Sequence, residues 1–218
     1  MSVVEPTTFA EGAAGEQPRS GLAPTRVWLV RHGESEWNVA ARIQGQARAP
    51  GLTQRGRDQA AEVAEQLAGC GATLVLTSDL RRAVETAAPI AERLGVPVVE
   101  DVRLRERALG AAEGQRVADV PAHVLGVADG RVIDAEARPA GGESTRELVA
   151  RVRDLLEAVA VAPPAPRLVM VSHGGVLRAA LGYAAGTPPE VMGWPALPNV
   201  TVCELSLPLQ PPGQGGQC

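Results

Sequence analysis

The sequence predicts an α/β fold, a three-layer α/β/α sandwich with a mostly parallel sheet and one antiparallel edge strand. Two observations indicate this fold class. Short apolar runs, such as residues 27–30 and 168–171, are typical of buried strands. Between them lie longer segments whose apolar residues recur every three or four positions, as on one face of a helix. Strands that alternate with helices in this way form a mostly parallel sheet with helices on both faces.

The first third of the chain is expected to contain one strand and one helix. The strand covers residues 26–30, and a loop with glycine and proline follows over residues 40–51. Thr53 is a plausible N-cap, because its hydroxyl can accept a hydrogen bond from a free N–H of the first turn. The helix that it begins is expected to continue to about Ala68 and to end at Gly69.

The middle of the chain continues the alternation of strands and helices. Residues 73–77 form a short buried strand, after which Ser78 is expected to cap a helix that continues to about Leu94. Gly95 ends that helix, and residues 97–100 form the next strand. These elements add a second and a third parallel strand to the predicted sheet.

A long segment without a clear period follows, over residues 103–142. Its glycines and prolines predict a small excursion over the active-site edge of the sheet, with a short helix around residues 117–125. Loops of this length in a compact domain are usually functional or mobile. Arg107 and Arg116 in this segment indicate either an anionic substrate or ordinary surface charge.

The last third returns to regular structure. Residues 143–161 have the pattern of an amphipathic helix, residues 168–171 form a buried strand, and residues 174–185 form a helix. Hydrophobicity alternates over residues 200–205, which predicts a final strand at an edge of the sheet. This strand is the expected antiparallel member.

The composition predicts one domain, residues 26–207, between an N-terminal tail (1–25) and a C-terminal tail (208–218) that are expected to be disordered. All 21 basic residues are arginines, which excludes lysine-based covalent chemistry and leaves arginine to bind phosphate. The net charge of −4 at pH 7 argues against a nucleic acid or a membrane surface as partner.

Several absences predict a cytoplasmic protein. The cysteines, Cys70, Cys203 and Cys218, are scattered and lack the spacing of a metal site. No apolar run reaches the ~20 residues that a membrane-spanning helix requires. The first 25 residues have neither the basic start nor the apolar core of a signal peptide.

Charged and imidazole side chains follow three of the predicted strands. Arg31 and His32 come after the first strand, Arg82 lies in the first turn of the helix after the second, and His173 follows the last parallel strand. Because the carboxyl ends of parallel strands meet at one sheet edge, these side chains are expected to lie together. Gly174 opens a helix whose N-terminal N–H groups favour an anion. The sequence therefore predicts a phosphate site.

Five motifs, in order along the chain, resemble those of the histidine phosphatase superfamily, also called phosphoglycerate mutase-like. The first two are VRHGESEWN at residues 30–38 and SDLRRAVETA at residues 78–87. The other three lie at residues 104–114, 141–144 and 172–175. Together they span nearly the whole predicted domain, and five motifs in the family's order are far more specific than one.

The resemblance implies a role for each site residue. His32 is the expected nucleophile, which takes the phosphoryl group as phosphohistidine. Glu106 is the expected general acid for the leaving oxygen and then the base for water. The remaining residues are expected to bind the phosphoryl group or the rest of the substrate: Arg31, Arg82 and His173 as catalytic groups, and Asn38, Gln44, Gly45 and Gly174 as binding groups. This scheme requires no metal ion and no cofactor.

Two of these assignments have simpler structural alternatives. His32 could be a hydrogen-bonded histidine at a strand end. Glu106, which lies between Arg105 and Arg107, could belong to a surface ion-pair cluster. The presence of the other motifs favours the catalytic assignments.

The resemblance leaves more than one reaction open. The segment RIQGQ at residues 42–46 and the short excursion are similar to the phosphatase branch of the family, so we expect a phosphomonoesterase that acts on a small phosphate ester. A phosphoglycerate mutase-like phosphotransferase is the alternative. A catalytically idle module that binds phosphorylated ligands is a distant third, because it would be expected to lack His32 or Glu106. The exposed final strand also leaves a homodimer open.

Overall fold

The computed structural model describes residues 24–208. The predicted tails, residues 1–25 and 208–218, lie outside the described residues except for their innermost positions. The strands are β1 (Thr25–Arg31), β2 (Leu74–Thr77), β3 (Val98–Glu100), β4 (Val127–Ala128), β5 (Arg131–Val132), β6 (Arg167–Ser172) and β7 (Val202–Leu207). The α-helices are α1 (Glu36–Val39), α2 (Gln54–Gln66), α3 (Arg81–Leu94), α4 (Ala122–Leu125), α5 (Thr145–Val161) and α6 (Gly174–Ala184).

The main sheet has five strands in the order β3-β2-β6-β1-β7. All neighbouring strands are parallel except β7, which runs antiparallel to β1 at the edge. The predicted mostly parallel sheet with one antiparallel edge strand is therefore confirmed. The central position of β6 places its end between the ends of β2 and β1, which is where the predicted site residues follow.

Helices cover both faces of this sheet, so the three predicted layers are confirmed. Alternate residues of a strand point to opposite faces. Accordingly, Val30 and Val169 pack with the helices α2 and α3 in one apolar core, whereas Leu29 and Met170 pack with α5 and α6 in the other. None of the described helices is long and apolar enough to cross a membrane.

Most helix boundaries follow the predicted signals. Thr53 caps α2, because its side chain accepts a hydrogen bond from the N–H of Gly56. Gly95 ends α3 in the left-handed conformation, with a φ of 67°. Ser78, however, does not cap α3: the helix begins at Arg81 with Leu80 at the N-cap and no side-chain cap. The hydroxyl of Ser78 instead contacts His173, as described below.

The final strand begins two residues later than expected, at Val202 rather than at Val200. Val200 has a φ of 52°, which belongs to the left-handed region and is incompatible with a strand. The chain therefore turns at this position before it pairs with β1. The alternating pattern identified the strand but not the turn that precedes it.

The excursion contains short elements rather than the single helix that was expected around residues 117–125. Pro121 divides that segment into a 3-10 turn, Val117–Asp119, and the helix α4, because proline cannot donate the backbone hydrogen bond that a continuous helix requires. The side chain of Arg107 is 3% exposed. Its guanidinium group donates to the carbonyl oxygens of Leu125, Ala137 and Glu143, each at 2.7 Å. Arg107 therefore holds the excursion together, which neither sequence interpretation anticipated.

Candidate active site

The register of the two central strands brings the predicted histidines together. Arg31 of β1 lies beside Ser172 of β6, so the next residue of each strand, His32 and His173, reaches the same sheet edge. Their ring centroids are 5.2 Å apart, and the two residues are 3% and 0% exposed. A cavity of about 230 Å³ opens beside His32, and its lining includes Arg31, His32 and Arg82. His173 lies behind His32 and does not line this cavity, so its expected contact with the phosphoryl group remains a prediction.

The ring of His32 has a defined tautomer. Its Nδ1 atom lies 2.7 Å from the carbonyl oxygen of Gly33. A carbonyl can only accept a hydrogen bond, so Nδ1 carries the proton and Nε2 presents a lone pair. Burial, and then the charges of Arg82 and Arg31, hold the pKa of His32 well below its usual value of 6.5. The ring is therefore neutral near pH 7, as a nucleophile must be.

Arg82 is fully buried beneath the cavity. Its two terminal nitrogens donate to the carbonyl oxygens of Ala47 (3.0 Å) and Gly45 (2.8 Å). Its Nε atom has no hydrogen-bond partner among the described residues. Burial lowers the pKa of Arg82 to about 10, so the group remains a cation near neutral pH. Arg82 therefore provides both a positive charge and an N–H group that has no acceptor within residues 24–208.

Gly45 lies in the loop whose carbonyl oxygens accept hydrogen bonds from Arg82. As a glycine it lets this loop approach a carboxylate closely. Its φ is 47°, and a Cβ at this position would lie 2.2 Å from Oε1 of Glu113. That oxygen also accepts hydrogen bonds from the N–H groups of Gln46 and Leu109. A side chain at residue 45 would displace both this carboxylate and the loop. This close contact explains why the residue at position 45 is a glycine.

Arg31 provides a second unsatisfied donor on the same edge. One terminal nitrogen donates to the carbonyl oxygen of Leu197, whereas Nε is buried without a partner in the described part of the chain. Burial lowers the pKa of Arg31, and the charge of Glu106 opposes that effect. Buried N–H groups without acceptors are costly in a folded protein. Such groups are expected where an anionic ligand supplies the acceptor.

Glu106 is held by two backbone N–H groups. Its Oε2 accepts a hydrogen bond from Gly175 at 3.0 Å, and its Oε1 accepts one from Arg107 at 2.8 Å. A Cβ on Gly175 would lie 2.1 Å from Oε1 of Glu106, so only glycine leaves room for the carboxylate at the start of α6. Arg105 pairs with Asp79 instead. The structure therefore does not place Glu106 in the surface ion-pair cluster that the sequence left as an alternative.

The expected binding residues divide into two groups. Gln44, Gly45 and Gly174 line the cavity. Asn38 does not line it, because it occupies the third position of α1 and closes a capping box with Ser35. The Oδ1 atom of Asn38 accepts the N–H of Ser35 at 3.0 Å. The structure therefore assigns Asn38 a local contact that the sequence analysis did not anticipate, whereas its expected contact with phosphate remains a prediction.

Two cavity residues, Arg178 and Trp194, were not anticipated from the sequence. Arg178 lies one helical turn after Gly174, and the central carbon of its guanidinium group lies 5.1 Å from the centre of the Trp194 ring. Its Nε donates to the carbonyl oxygen of Pro195 at 2.7 Å. The spacing of four residues from Gly174 was a usable signal for Arg178. Trp194 lies in a segment without periodicity and gave none.

Comparisons with known proteins agree with this geometry. The family model described as the histidine phosphatase superfamily (branch 1) matches residues 27–210. A glucosyl-3-phosphoglycerate phosphatase from Mycobacterium tuberculosis is 41% identical over 180 residues, which cover 79% of each chain. A probable phosphoglycerate mutase GpmB from Serratia proteamaculans is 40% identical over 171 residues, covering 75% of this chain and 76% of the relative.

Solved structures give the same result. The structure of a mycobacterial glucosyl-3-phosphoglycerate phosphatase in complex with VO3 superimposes with a TM-score of 0.73 and 36% identity, and the match covers 84% of this chain and 92% of the other. A protein from Bacillus stearothermophilus, YhfR, matches with a TM-score of 0.73 and 26% identity over 88% of this chain and 94% of that chain. The likeness therefore extends over most of the chain.

Proposed function

Because this chain belongs to the histidine phosphatase superfamily, branch 1, we propose that it is a metal-independent phosphomonoesterase that works through a phosphohistidine at residue 32. The observation that carries the proposal is the ring of His32. The hydrogen bond from Nδ1 to the carbonyl oxygen of Gly33 keeps the proton on Nδ1 and leaves a lone pair on Nε2. The buried cations Arg31 and Arg82 lie close to this ring. A neutral nucleophile beside fixed positive charge is what transfer of a phosphoryl group requires.

The proposed reaction has two steps. In the first, Nε2 of His32 attacks phosphorus and a P–N bond forms. The P–O bond to the leaving group breaks, and Glu106 donates a proton to that oxygen. Arg31, Arg82 and His173 donate hydrogen bonds to the oxygens that gain charge. In the second step the Glu106 carboxylate takes a proton from water, and the water oxygen replaces Nε2 on phosphorus. Inorganic phosphate leaves, and both side chains return to their starting states.

The experiment that tests this function combines phosphate release with trapping of the intermediate. The protein is incubated with p-nitrophenyl phosphate and with a panel of phosphorylated metabolites, and then quenched in alkali. We expect release of inorganic phosphate together with a phosphoprotein that survives alkali and decays in acid, as phosphohistidine does. No release from any substrate, with binding retained, would support the idle binding module instead.

A phosphotransferase is the second candidate, and the relatives named probable phosphoglycerate mutase favour it. Both reactions pass through phosphohistidine and differ in the final acceptor, which is water in one and a substrate hydroxyl in the other. Incubation with 3-phosphoglycerate separates them. Interconversion of phosphoglycerates without release of phosphate would favour the transferase, whereas phosphate release favours hydrolysis.

The charges of the cavity support a substrate with a second anionic group. Five arginines line the cavity, whereas Glu106 is its only acidic residue in the described part of the chain. None of the five forms a salt bridge within residues 24–208. Arg31 and Arg82 are assigned to the phosphoryl group, and all three guanidinium nitrogens of Arg107 donate to carbonyl oxygens. Among the described residues, Arg42 and Arg178 each donate through one nitrogen only, to the carbonyl oxygens of Gly114 and Pro195. Their other nitrogens therefore remain for a carboxylate or a second phosphate, as on the phosphoglycerate unit that the relatives' names contain.

Replacing Arg178 with methionine is expected to raise KM for a phosphorylated carboxylate by about 10- to 100-fold, the effect of losing one hydrogen bond to a charged group. The change preserves an unbranched apolar side chain over Trp194 while it removes the charge. We expect little change in KM for p-nitrophenyl phosphate, which has no second anion. Arg93→Met is the matched control, because Arg93 pairs with Glu65 on the surface. Equal losses with both substrates would assign Arg178 to the phosphoryl group instead.

A further inference from the structure

Ser78 and His173 form a buried pair, and the proposed mechanism assigns no role to Ser78. Both residues are 0% exposed. The Oγ atom of Ser78 lies 2.9 Å from Nε2 of His173. The other ring nitrogen of His173, Nδ1, is buried and has no hydrogen-bond partner among the described residues. Nε2 of the His173 ring therefore has a hydrogen-bond partner within the protein, whereas Nδ1 has none among the described residues.

The available partners determine the direction of the hydrogen bond between the two side chains. A hydroxyl group has one proton to donate and can accept from two donors. The Oγ atom of Ser78 already accepts the N–H of Leu80 at 3.3 Å. Within residues 24–208, its proton has no acceptor apart from Nε2 of His173. If Nε2 donated instead, the hydroxyl proton of Ser78 and the lone pair on Nδ1 would both be buried without a partner, whereas the opposite direction leaves only Nδ1–H unsatisfied. Donation by Nε2 is therefore the costlier arrangement.

We propose that Ser78 is a positioning residue that fixes His173 as the tautomer protonated on Nδ1, so that Nδ1–H is a dedicated donor to the phosphoryl group. The hydroxyl of Ser78 donates to Nε2, and the ring proton is consequently on Nδ1. The identity of the acceptor, a phosphoryl oxygen, rests on the proposed function, whereas the tautomer itself does not. This role differs from that of His173 as an additional cation.

The surroundings of His173 support a neutral ring. Its pKa is held well below 6.5 by burial first, and then by the charges of arginines, of which Arg82 has the largest effect and Arg31 and Arg151 add to it. A neutral imidazole has one donor and one acceptor, so a partner that fixes one nitrogen also fixes the role of the other. His32 and His173 are thus protonated on the same nitrogen but have opposite free edges, a lone pair on His32 and an N–H on His173.

Nuclear magnetic resonance on the unmodified protein tests the tautomer directly. The full chain is labelled with 15N-histidine, and correlations between the ring nitrogens and ring protons distinguish protonated from unprotonated nitrogens. Only three histidines occur in the chain, so single replacements assign the signals. We expect His173 to show a protonated Nδ1 and an unprotonated Nε2. The reverse pattern, or a doubly protonated ring near pH 7, would overturn the proposal.

Addition of inorganic phosphate tests the second part of the proposal. The Nδ1–H proton of His173 is expected to shift downfield when phosphate accepts its hydrogen bond. If phosphate binds and this proton does not respond, Nδ1–H is not the donor, and that part of the inference fails. Neither spectrum depends on turnover. An inactive protein with the expected tautomer would therefore contradict the proposed function and leave the assignment of Ser78 intact.

Two replacements of Ser78 separate its hydroxyl from its bulk. In Ser78→Ala the ring of His173 is expected to populate both tautomers, so that its nitrogen signals become averages of the protonated and unprotonated forms. We expect kcat/KM to fall by about 10-fold, the effect of losing one buried hydrogen bond. Ser78→Thr keeps the hydroxyl and is expected to keep the wild-type tautomer. Ser206→Ala, at an exposed position of β7, is the control. If the ring of His173 keeps the wild-type tautomer in Ser78→Ala, the role of Ser78 is overturned. If Ser78→Ala does not fold, the spectrum of the unmodified protein decides whether His173 has the proposed tautomer.

Discussion

Replacing His32 with alanine is expected to lower kcat by 10⁴- to 10⁶-fold, on the order of the loss seen when an enzyme's nucleophile is removed. The physical reason is that Nε2 of His32 is the only unprotonated ring nitrogen that we assign to the phosphoryl site. No other described side chain of the cavity is both neutral and nucleophilic. The measurement is steady-state release of phosphate together with trapping of the phosphoprotein. We expect both turnover and the acid-labile phosphoprotein to disappear.

His123 provides the matched control for this replacement. It is exposed on α4 and is the one histidine of the chain without an assigned role, so His123→Ala is expected to retain wild-type kcat. The melting temperature of both variants separates loss of chemistry from loss of fold. Turnover that survives in a folded His32→Ala protein, or an acid-labile phosphoprotein that persists in it, would contradict the proposed mechanism.

The core of the candidate site could be predicted because it depends on strand ends. His32 and His173 each follow a continuous apolar run, and adjacent parallel strands place the residues after those runs side by side. Arg82 is predictable for a similar reason, since it lies in the first turn of a helix that begins near the end of β2. Local patterns of two or three residues are enough when the sheet itself supplies the long-range geometry.

The internal structure of the excursion could not be predicted because it depends on contacts between distant segments without periodicity. Residues of the hairpin β4-β5 bond to a later segment: the N–H of Val132 donates to Met192, and the N–H of Trp194 donates to Gly130. A buried guanidinium group, that of Arg107, satisfies three carbonyl oxygens that would otherwise lack donors. No pattern of apolar residues encodes such pairings.

The same reasoning explains the error at Ser78. A serine that follows a strand and precedes a helical pattern is a standard capping signal, and the helix does begin nearby. The hydroxyl is instead used by His173, which is 95 residues away in the chain. A local rule therefore failed at a position where we assign a functional role, and such positions are where local rules are expected to fail.

Replacing Glu106 with glutamine is expected to lower kcat/KM for a substrate with a poor leaving group by about 10²- to 10⁴-fold, the usual contribution of a general acid or base. Glutamine has the same shape but cannot transfer a proton. Its NH2 group must also face the N–H of either Gly175 or Arg107, both of which donate to the carboxylate in the native site. Part of the loss could therefore come from a displaced side chain, and the choice of substrates separates the two causes.

Aryl phosphates of graded leaving-group pKa provide that separation. A 2,4-dinitrophenolate departs without a proton, whereas a phenolate requires one, so the loss in Glu106→Gln is expected to be small for dinitrophenyl phosphate and large for phenyl phosphate. Dinitrophenyl phosphate should then give a burst followed by slow turnover, because the step that needs a base for water remains impaired. Glu62→Gln, at an exposed position of α2, is expected to behave as wild type. A loss of equal size across the whole series would show that Glu106 positions α6 or the substrate and does not transfer the proton.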